Sequence, residues 1–208
     1  MSIEIKIGKR IKDFIIEKIL NTKKLILISP WISEETAKLL LDLASKNVEI
    51  TLITSNDSSE FHRKGLKSLM GVERKVKKEG NKIFSTLGIF LIFLGIFLIP
   101  FNILGIFLVP LGIFLFLKYR IIFEEIYFSK IKELIITKEK LHAKIIITDN
   151  LIGIGSPNFT YSGLISNIES FAWIEEKEVY NKVIEEINRL KSFWEKDIDY
   201  RSIAKNLK

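Results

Sequence analysis

Cysteine is absent from this chain of 208 residues, which excludes disulfides and thiolate chemistry. Histidine is scarce: His62 and His142 are the only two, too few for a histidine-rich metal cage, so catalysis is expected to run without metal or on carboxylates. No long apolar run opens the chain; MSIEIKIGKRIKDF alternates charge with isoleucine, unlike a secretory signal, and the expectation is a start in the cytoplasm. Charge itself is missing from one internal stretch. Between Lys82 and Lys118 lie 35 residues whose only polar side chains are Ser85, Thr86 and Asn102.

What is present is apolar and basic. Hydrophobic residues make up 48%, the mean hydropathy is +0.22, and 32 Lys and Arg stand against 25 Asp and Glu for a net charge of +7. That balance favours anionic partners such as nucleic acid or acidic lipid headgroups, without choosing between them.

The uncharged stretch is too long for one membrane span, since a single helix would run roughly 50 Å against a hydrocarbon core of ~30 Å. Pro100-Phe101-Asn102 breaks it into two arms. The arms are copies: LGIFLIFLGIFL from Leu87 recurs as LGIFLVPLGIFL from Leu104, changed only at Ile92/Val109 and Phe93/Pro110. Gly88 and Gly95 have the same spacing as Gly105 and Gly112, so each arm offers two glycines on roughly one face for close helix packing. Two helices apolar on every face need lipid or a large surrounding protein, which points to a membrane hairpin. Arg74, Lys75, Lys77, Lys78 and Lys82 before it, with Lys118 and Arg120 after it, put both ends on the cytoplasmic side, whether the arms cross fully or insert shallowly.

Elsewhere helices and strands alternate. Ile11, Phe14, Ile15 and Ile19 mark a helix over 9–20, Leu25 to Ile28 a buried strand, and Ser33 caps a helix through about Ser45 that ends near Asn47. Val48, Ile50 and Leu52 alternate as a strand, and Ser58 to about Lys78 reads as a basic helix. Further strands are expected at Glu133–Thr137, Leu141–Thr148, Leu151–Gly155 and Phe171–Glu175. Val179, Tyr180, Val183, Ile184, Ile187, Leu190 and Trp194 mark a last amphipathic helix. The expected fold class is α/β: a layered mixed β-sheet flanked by helices and interrupted by a transmembrane or membrane-inserted helical hairpin. Its parts are 1–82, 83–117 and 118–208.

In the run from Leu141 to Asp149, strand alternation puts His142 and Lys144 on one face, about 6.5 to 7 Å apart, so that one phosphate fits between imidazole and ammonium. After the turn Asp149-Asn150 the chain returns to Gly155-Ser156-Pro157-Asn158, which brings a hydroxyl and an amide to the same end.

His-x-Lys-x4-Asp at His142, Lys144 and Asp149, then Gly-Ser-x-Asn at Gly155, Ser156 and Asn158, then Asn-x-Glu at Asn167 and Glu169, resembles the phospholipase D superfamily. The continuation Phe159 to Leu164, and more weakly Ser29-Pro30-Trp31-Ile32, extend the likeness over most of the chain outside the hairpin. The resemblance implies a phospholipase D-like fold and a metal-independent phosphodiesterase with no cofactor. One histidine attacks phosphorus to form a phosphohistidine, and a second protonates the leaving oxygen and then activates water.

The implied catalytic residues are His142, Lys144, Asp149, Asn158 and Glu169, with Lys144, Ser156 and Asn158 binding substrate. Lys144 and Asn158 neutralise phosphoryl oxygens, Asp149 and Glu169 orient histidine, and Glu169 is the expected partner of His142. His62 has no motif around it and reads as a basic surface residue. Single-motif relatives pair two subunits around one composite site, so a homodimer is expected. Three functions compete: a membrane-anchored nuclease, favoured because the resemblance is to short single-motif members that are often endonucleases and because the basic stretch from Arg63 to Lys78 could follow a phosphate backbone; a phospholipid hydrolase or phosphatidyltransferase, whose anionic headgroups the same basic stretch would suit; and an inactive membrane scaffold, which the intact motif disfavours.

Overall fold

A computed structural model describes residues 2–101, 103–137 and 139–194. Asn102, expected in the hairpin turn, and the side chain of Trp194, expected on the last helix, lie outside the described residues. The chain divides into two compact units, one formed by 1–71 and 127–208, the other by 72–126.

The first unit is built on a seven-stranded mixed sheet. Its strands are β1 (Ser2–Gly8), β2 (Lys24–Ile28), β3 (Glu49–Ser55), β6 (Glu133–Thr137), β7 (Ile145–Ile147), β8 (Ile152–Gly155) and β9 (Glu169–Glu175), while β4 (Met70–Lys78) and β5 (Ile122–Ser129) form a separate two-stranded ribbon. The sheet order is β1-β9-β8-β7-β2-β3-β6; β2, β3 and β6 run parallel, and every other neighbouring pair is antiparallel. Period-two alternation sorts the isoleucines and leucines. Leu25, Leu27, Leu52, Ile146, Phe171 and Trp173 pack with helices α1 (Lys12–Ile19), α2 (Glu34–Ser45) and α3 (Glu60–Leu69). On the opposite face, Ile28, Ile53, Ile135, Ile147 and Ile152 pack against Ile187 of α6 (Lys177–Trp194). The fold is the expected layered α/β sheet flanked by helices.

One helix is too narrow to cover seven strands. Beyond α6 the registers Ile3↔Ile174, Ile5↔Ala172 and Ile154↔Ala172 set Ile3, Ile5, Ile7 and Ile154 on the same face, and all four are exposed, Ile7 to 73%.

Local signals explain most element ends. Ser33 caps α2 through a reciprocal box with Thr36, and Asn47 takes the left-handed conformation (φ 65°) that stops the chain after that helix. The expected helix from Ser58 to Lys78 is corrected: α3 stops at Leu69 and the chain continues as β4. Its partner β5 follows the hairpin, so the pairing joins segments about fifty residues apart. Gly71 lies against the Phe128 ring, where a Cβ has no room. The strand expected over Leu141–Thr148 is also shorter. Ile28 pairs with Ile145, after which β2 turns away at Ser29-Pro30, and 141–144 lose their ladder neighbour on that side.

The second unit holds the hairpin, α4 (Lys82–Leu98) and α5 (Leu104–Tyr119). Gly88 faces Gly112 and Gly95 faces Gly105, close enough that a Cβ on Gly88 would sit 2.7 Å from the Gly112 carbonyl oxygen. These four glycines are the buried residues of the two helices, and the apolar side chains point outward, Phe93 and Phe97 about equally at 69% and 68% exposed. Among the described residues no helix is long and apolar enough to cross a membrane. Helices of 17 and 16 residues reach about 25 Å against a core of ~30 Å, so the full span, one of the two expected forms of the hairpin, is not found among the described residues.

Candidate active site

Two loops meet beside the end of β7 and are tied chiefly by hydrogen bonds between hydroxyl side chains and main chain. Ser29, where β2 ends, donates from Oγ to the Trp31 carbonyl (2.7 Å) and accepts from the Phe159 N–H (2.9 Å). Thr36 donates to the Phe159 carbonyl (2.7 Å), and Ile32 bridges to Phe159. The Ser-Pro-Trp-Ile loop thereby holds the Gly-Ser-Pro-Asn loop. A serine ending a buried apolar run just before proline was the available signal for Ser29, which sequence reasoning did not single out as a site residue.

His142 sits three residues before β7, exposed, and its ring makes no hydrogen bond among the described residues. It lines a groove of about 450 Å³ whose walls are chiefly Leu141, Ala143, Ile145, Val183, Ile187 and Leu190, with Lys140 and Lys182 also on it. Lys144 follows. Its Nζ donates to the His142 carbonyl (2.7 Å), its own carbonyl accepts from Gly155 N–H (3.3 Å), and it shares a small cavity with Ser29, Pro157 and Phe159. The motif's His-x-Lys and Gly-Ser-x-Asn segments are therefore brought together at one end of β7 and β8.

Glu169 and Ser156 form a network of their own. Ser156 Oγ donates to Glu169 Oε2 and accepts from Ser170 N–H (3.0 Å), while Asn167 Nδ2 donates to Glu169 Oε1 (3.1 Å). Glu169 is thus engaged by Ser156 and Asn167 rather than by His142, and the Ser156 proton is committed. Asn158 Oδ1 is buried with no hydrogen-bond partner among the described residues, and the Asn158 carbonyl accepts from Thr160 N–H (2.8 Å).

Asp149 lies at the other end of β7. Its carboxylate accepts from the N–H groups of Lys23 (2.8 Å) and Lys24 (3.0 Å), and its own N–H donates to Thr22 Oγ1 (3.1 Å). These bonds pin the start of β2 to the β7–β8 turn, so Asp149 does not orient His142 directly. Beside that turn Tyr180 donates to the Thr148 carbonyl (3.1 Å); burial and then the Asp149 charge push its phenol above the ordinary value.

The reading of His62 as a surface residue is corrected. It is fully buried: Nδ1 accepts from the Ile32 N–H (3.1 Å), which leaves Nε2 to carry the proton and donate to the Ser55 carbonyl (2.9 Å). Burial lowers its pKa, with the Ser55 carbonyl and Asp57 opposing, so the neutral ring is a structural clamp between the β2–α2 loop and the end of β3. Both nitrogens being occupied, His142 is the one histidine of this chain with a ring open to a substrate. No cluster of three or more His, Asp or Glu fit to hold a metal exists among the described residues.

The family model described as "Cardiolipin synthase, PLD-like domain" matches residues 119–191. That segment, about a third of the chain, is similar to the phospholipase D-like family. This phospholipase D-like segment carries His142, Lys144, Asp149, Ser156, Asn158 and Glu169, and superfamily members are phosphodiesterases and phosphotransferases. No curated protein matches the chain. Among solved structures it is similar to Nuc from Salmonella typhimurium, a phospholipase D family member, at 10% identity and TM-score 0.48, covering 89% of this chain and 91% of that one. NucT from Helicobacter pylori is similar at 12% identity and TM-score 0.46, covering 99% and 96%. Phosphatidylserine synthase from Haemophilus influenzae Rd KW20 is similar at 12% identity and TM-score 0.48, covering 91% of this chain and 38% of that one.

Proposed function

We propose that two copies of this chain form one metal-independent phosphodiesterase acting on a phospholipid phosphodiester, with a composite site to which each copy gives His142, Lys144 and Asn158. The observation that carries this is the contrast between the histidines: His62 is locked by two main-chain bonds, whereas the His142 ring is exposed and unbonded beside Lys144. A site that needs two imidazoles is incomplete in one chain.

In the first step a ring nitrogen of one His142 attacks phosphorus; the P–N bond forms, the P–O bond to the leaving group breaks, and His142 of the second copy gives its proton to the departing oxygen. That second imidazole then takes a proton from water as the water oxygen attacks phosphorus; the new P–O bond forms, the P–N bond breaks, and the first His142 and the phosphomonoester are freed. Lys144 and Asn158 neutralise the non-bridging oxygens while charge develops. The exposed sheet face of Ile3, Ile5, Ile7 and Ile154 supports pairing of two copies, because an apolar face left by a single covering helix gains by burial against its own symmetry mate.

The apolar groove beside His142 favours a lipid, whose hydrocarbon matches Leu141, Val183, Ile187 and Leu190 while the phosphate meets Lys144. The basic residues fit a nucleic-acid track less well. The basic stretch is split between α3 and the ribbon, and Lys64, Arg74 and Lys77 are paired with Glu60, Glu125 and Glu124. Cleavage of nucleic acid is the second reading, supported by Lys140, Lys144 and Lys182 around His142. The outward-facing apolar hairpin supports anchoring by insertion into a bilayer without crossing it, with the site on the cytoplasmic side.

The test is hydrolysis in EDTA of phosphatidylglycerol, cardiolipin, single-stranded DNA and RNA by the purified chain, with phosphoryl transfer to His142 followed in parallel after a denaturing quench at alkaline pH. Lipid cleavage with a trapped phosphohistidine is expected. Cleavage of nucleic acid alone selects the second reading, and activity that survives His142→Ala sinks the mechanism. A heterodimer of wild-type and His142→Ala chains is expected to be inactive; a fully active monomer in sedimentation overturns the paired site.

A further inference from the structure

The base of the hairpin differs in chemistry from its shaft. Gly80 packs so closely on the Tyr119–Arg120 main chain that a Cβ would meet the Tyr119 carbonyl, and this brings the two ends of the hairpin together. Lys78 Nζ donates to the Leu117 carbonyl (3.4 Å), reaching across the junction. Lys82 opens α4 and Arg120 caps α5, both exposed, and Lys118 Nζ lies 5.4 Å from the ring centroids of both Phe114 and Tyr119. Phe84 and Tyr119 stack at 5.0 Å. From Lys78 to Phe123 the sequence carries four cations and one acid, Glu79.

We propose that Lys78, Lys82, Lys118 and Arg120 form a collar that binds the phosphates of anionic lipid headgroups while the shaft sits in the acyl layer. The inference rests on the insertion reading above and adds headgroup selectivity to it. Three features select a lipid surface as the occupant. The shaft is apolar on all its outward sides, as a protein groove would not require. Its two ends share one polar rim, so it enters from one side. That rim pairs excess positive charge with aromatic rings, the combination suited to the headgroup level. Lys118 holds its ammonium beside two rings, a cation and aromatic pair at the base of the shaft.

Flotation of the full chain with vesicles tests this, using pure phosphatidylcholine and phosphatidylcholine containing 30% phosphatidylglycerol (about a third anionic lipid, enough for a negative surface potential). The wild type is expected to float with both, and more tightly with the anionic vesicles at low salt. The triple variant K82Q/K118Q/R120Q is expected to lose that preference, weakening on anionic vesicles by about a hundredfold at roughly fivefold per cation, and to keep its binding to phosphatidylcholine. Equal binding to the two vesicles, or an unchanged preference in the variant, overturns the collar and leaves insertion standing. Flotation with neither vesicle overturns insertion itself. Circular dichroism of the variant checks that α4 and α5 remain helical.

Discussion

The sheet unit buries Ile50, Leu52, Ile53 and Leu134 completely and turns its lysines outward, whereas the hairpin buries four glycines and turns its phenylalanines outward. Both are made of the same residue types. In water an exposed phenylalanine forgoes about 1.5–3 kcal/mol relative to a buried one, so the inside-out hairpin is a poor solution for an aqueous surface and a good one for hydrocarbon. Helix association in lipid has no such hydrophobic drive and relies on close contact, which is what Gly88 against Gly112 and Gly95 against Gly105 provide. Under the proposed insertion, each unit is matched to a different solvent.

The comparison can be broken or sharpened by substitution, beginning with the largest effect. His142→Ala removes the open imidazole from an exposed position, so turnover is expected to fall by a thousandfold or more, about 4 kcal/mol of barrier, while the melting temperature stays within a degree or so. A rate assay beside a thermal melt checks both.

His62→Ala acts on the fold instead. It strands the Ile32 N–H and the Ser55 carbonyl, each costing about 1–3 kcal/mol when buried, and the melt is expected to shift down accordingly. The same histidine gives a pH dependence of definite sign. Its pKa is lowered in the fold, so the unfolded chain binds the proton first; stability is full above about pH 6.5 and falls as pH drops below that value. Urea unfolding from pH 8 to 5 should show this loss, and His62→Gln should flatten it.

Gly88→Leu tests the hairpin alone. A side chain there collides with Phe116 and Gly112, and the helices are expected to separate by about 2 Å toward the 8–10 Å axial distance of ordinary pairs. Spin labels at exposed Phe90 and Phe114 measure that spacing. The smallest effect is expected for Asp149→Ala, about 1 kcal/mol from the lost bonds to Lys23 and Lys24, with turnover per folded molecule unchanged. A large loss of turnover without loss of stability would return Asp149 to the chemistry.

Local chemistry was readable where local chemistry decides. Ser33 and Asn47 mark the two ends of α2, the duplicated glycines fix the hairpin, and the run from His142 to Glu169 carries the motif. What was not readable depends on partners far along the chain. β4 looks helical until β5 arrives to pair with it, the strand before Ile145 ends because β2 turns away at Pro30, and His62 looks like a surface cation until Ile32 and Ser55 close around it. Asp149 belongs to the motif in sequence and the intervening strand carries it to the opposite end from His142, but its partners there, the Lys23 and Lys24 N–H groups, come from the start of β2 far along the chain.

The sheet order has a consequence for synthesis. β2, β3 and β6 make a parallel half that is complete once Thr137 has emerged, but the other edge of β2 waits for β7, and β1, the earliest strand, waits for β9, the latest. A nascent chain therefore carries an open strand edge while the hairpin from Lys82 to Tyr119 is already outside the ribosome. Under the proposed insertion, early engagement of that hairpin by a bilayer would tether the half-made sheet and keep the open edges of neighbouring nascent chains apart.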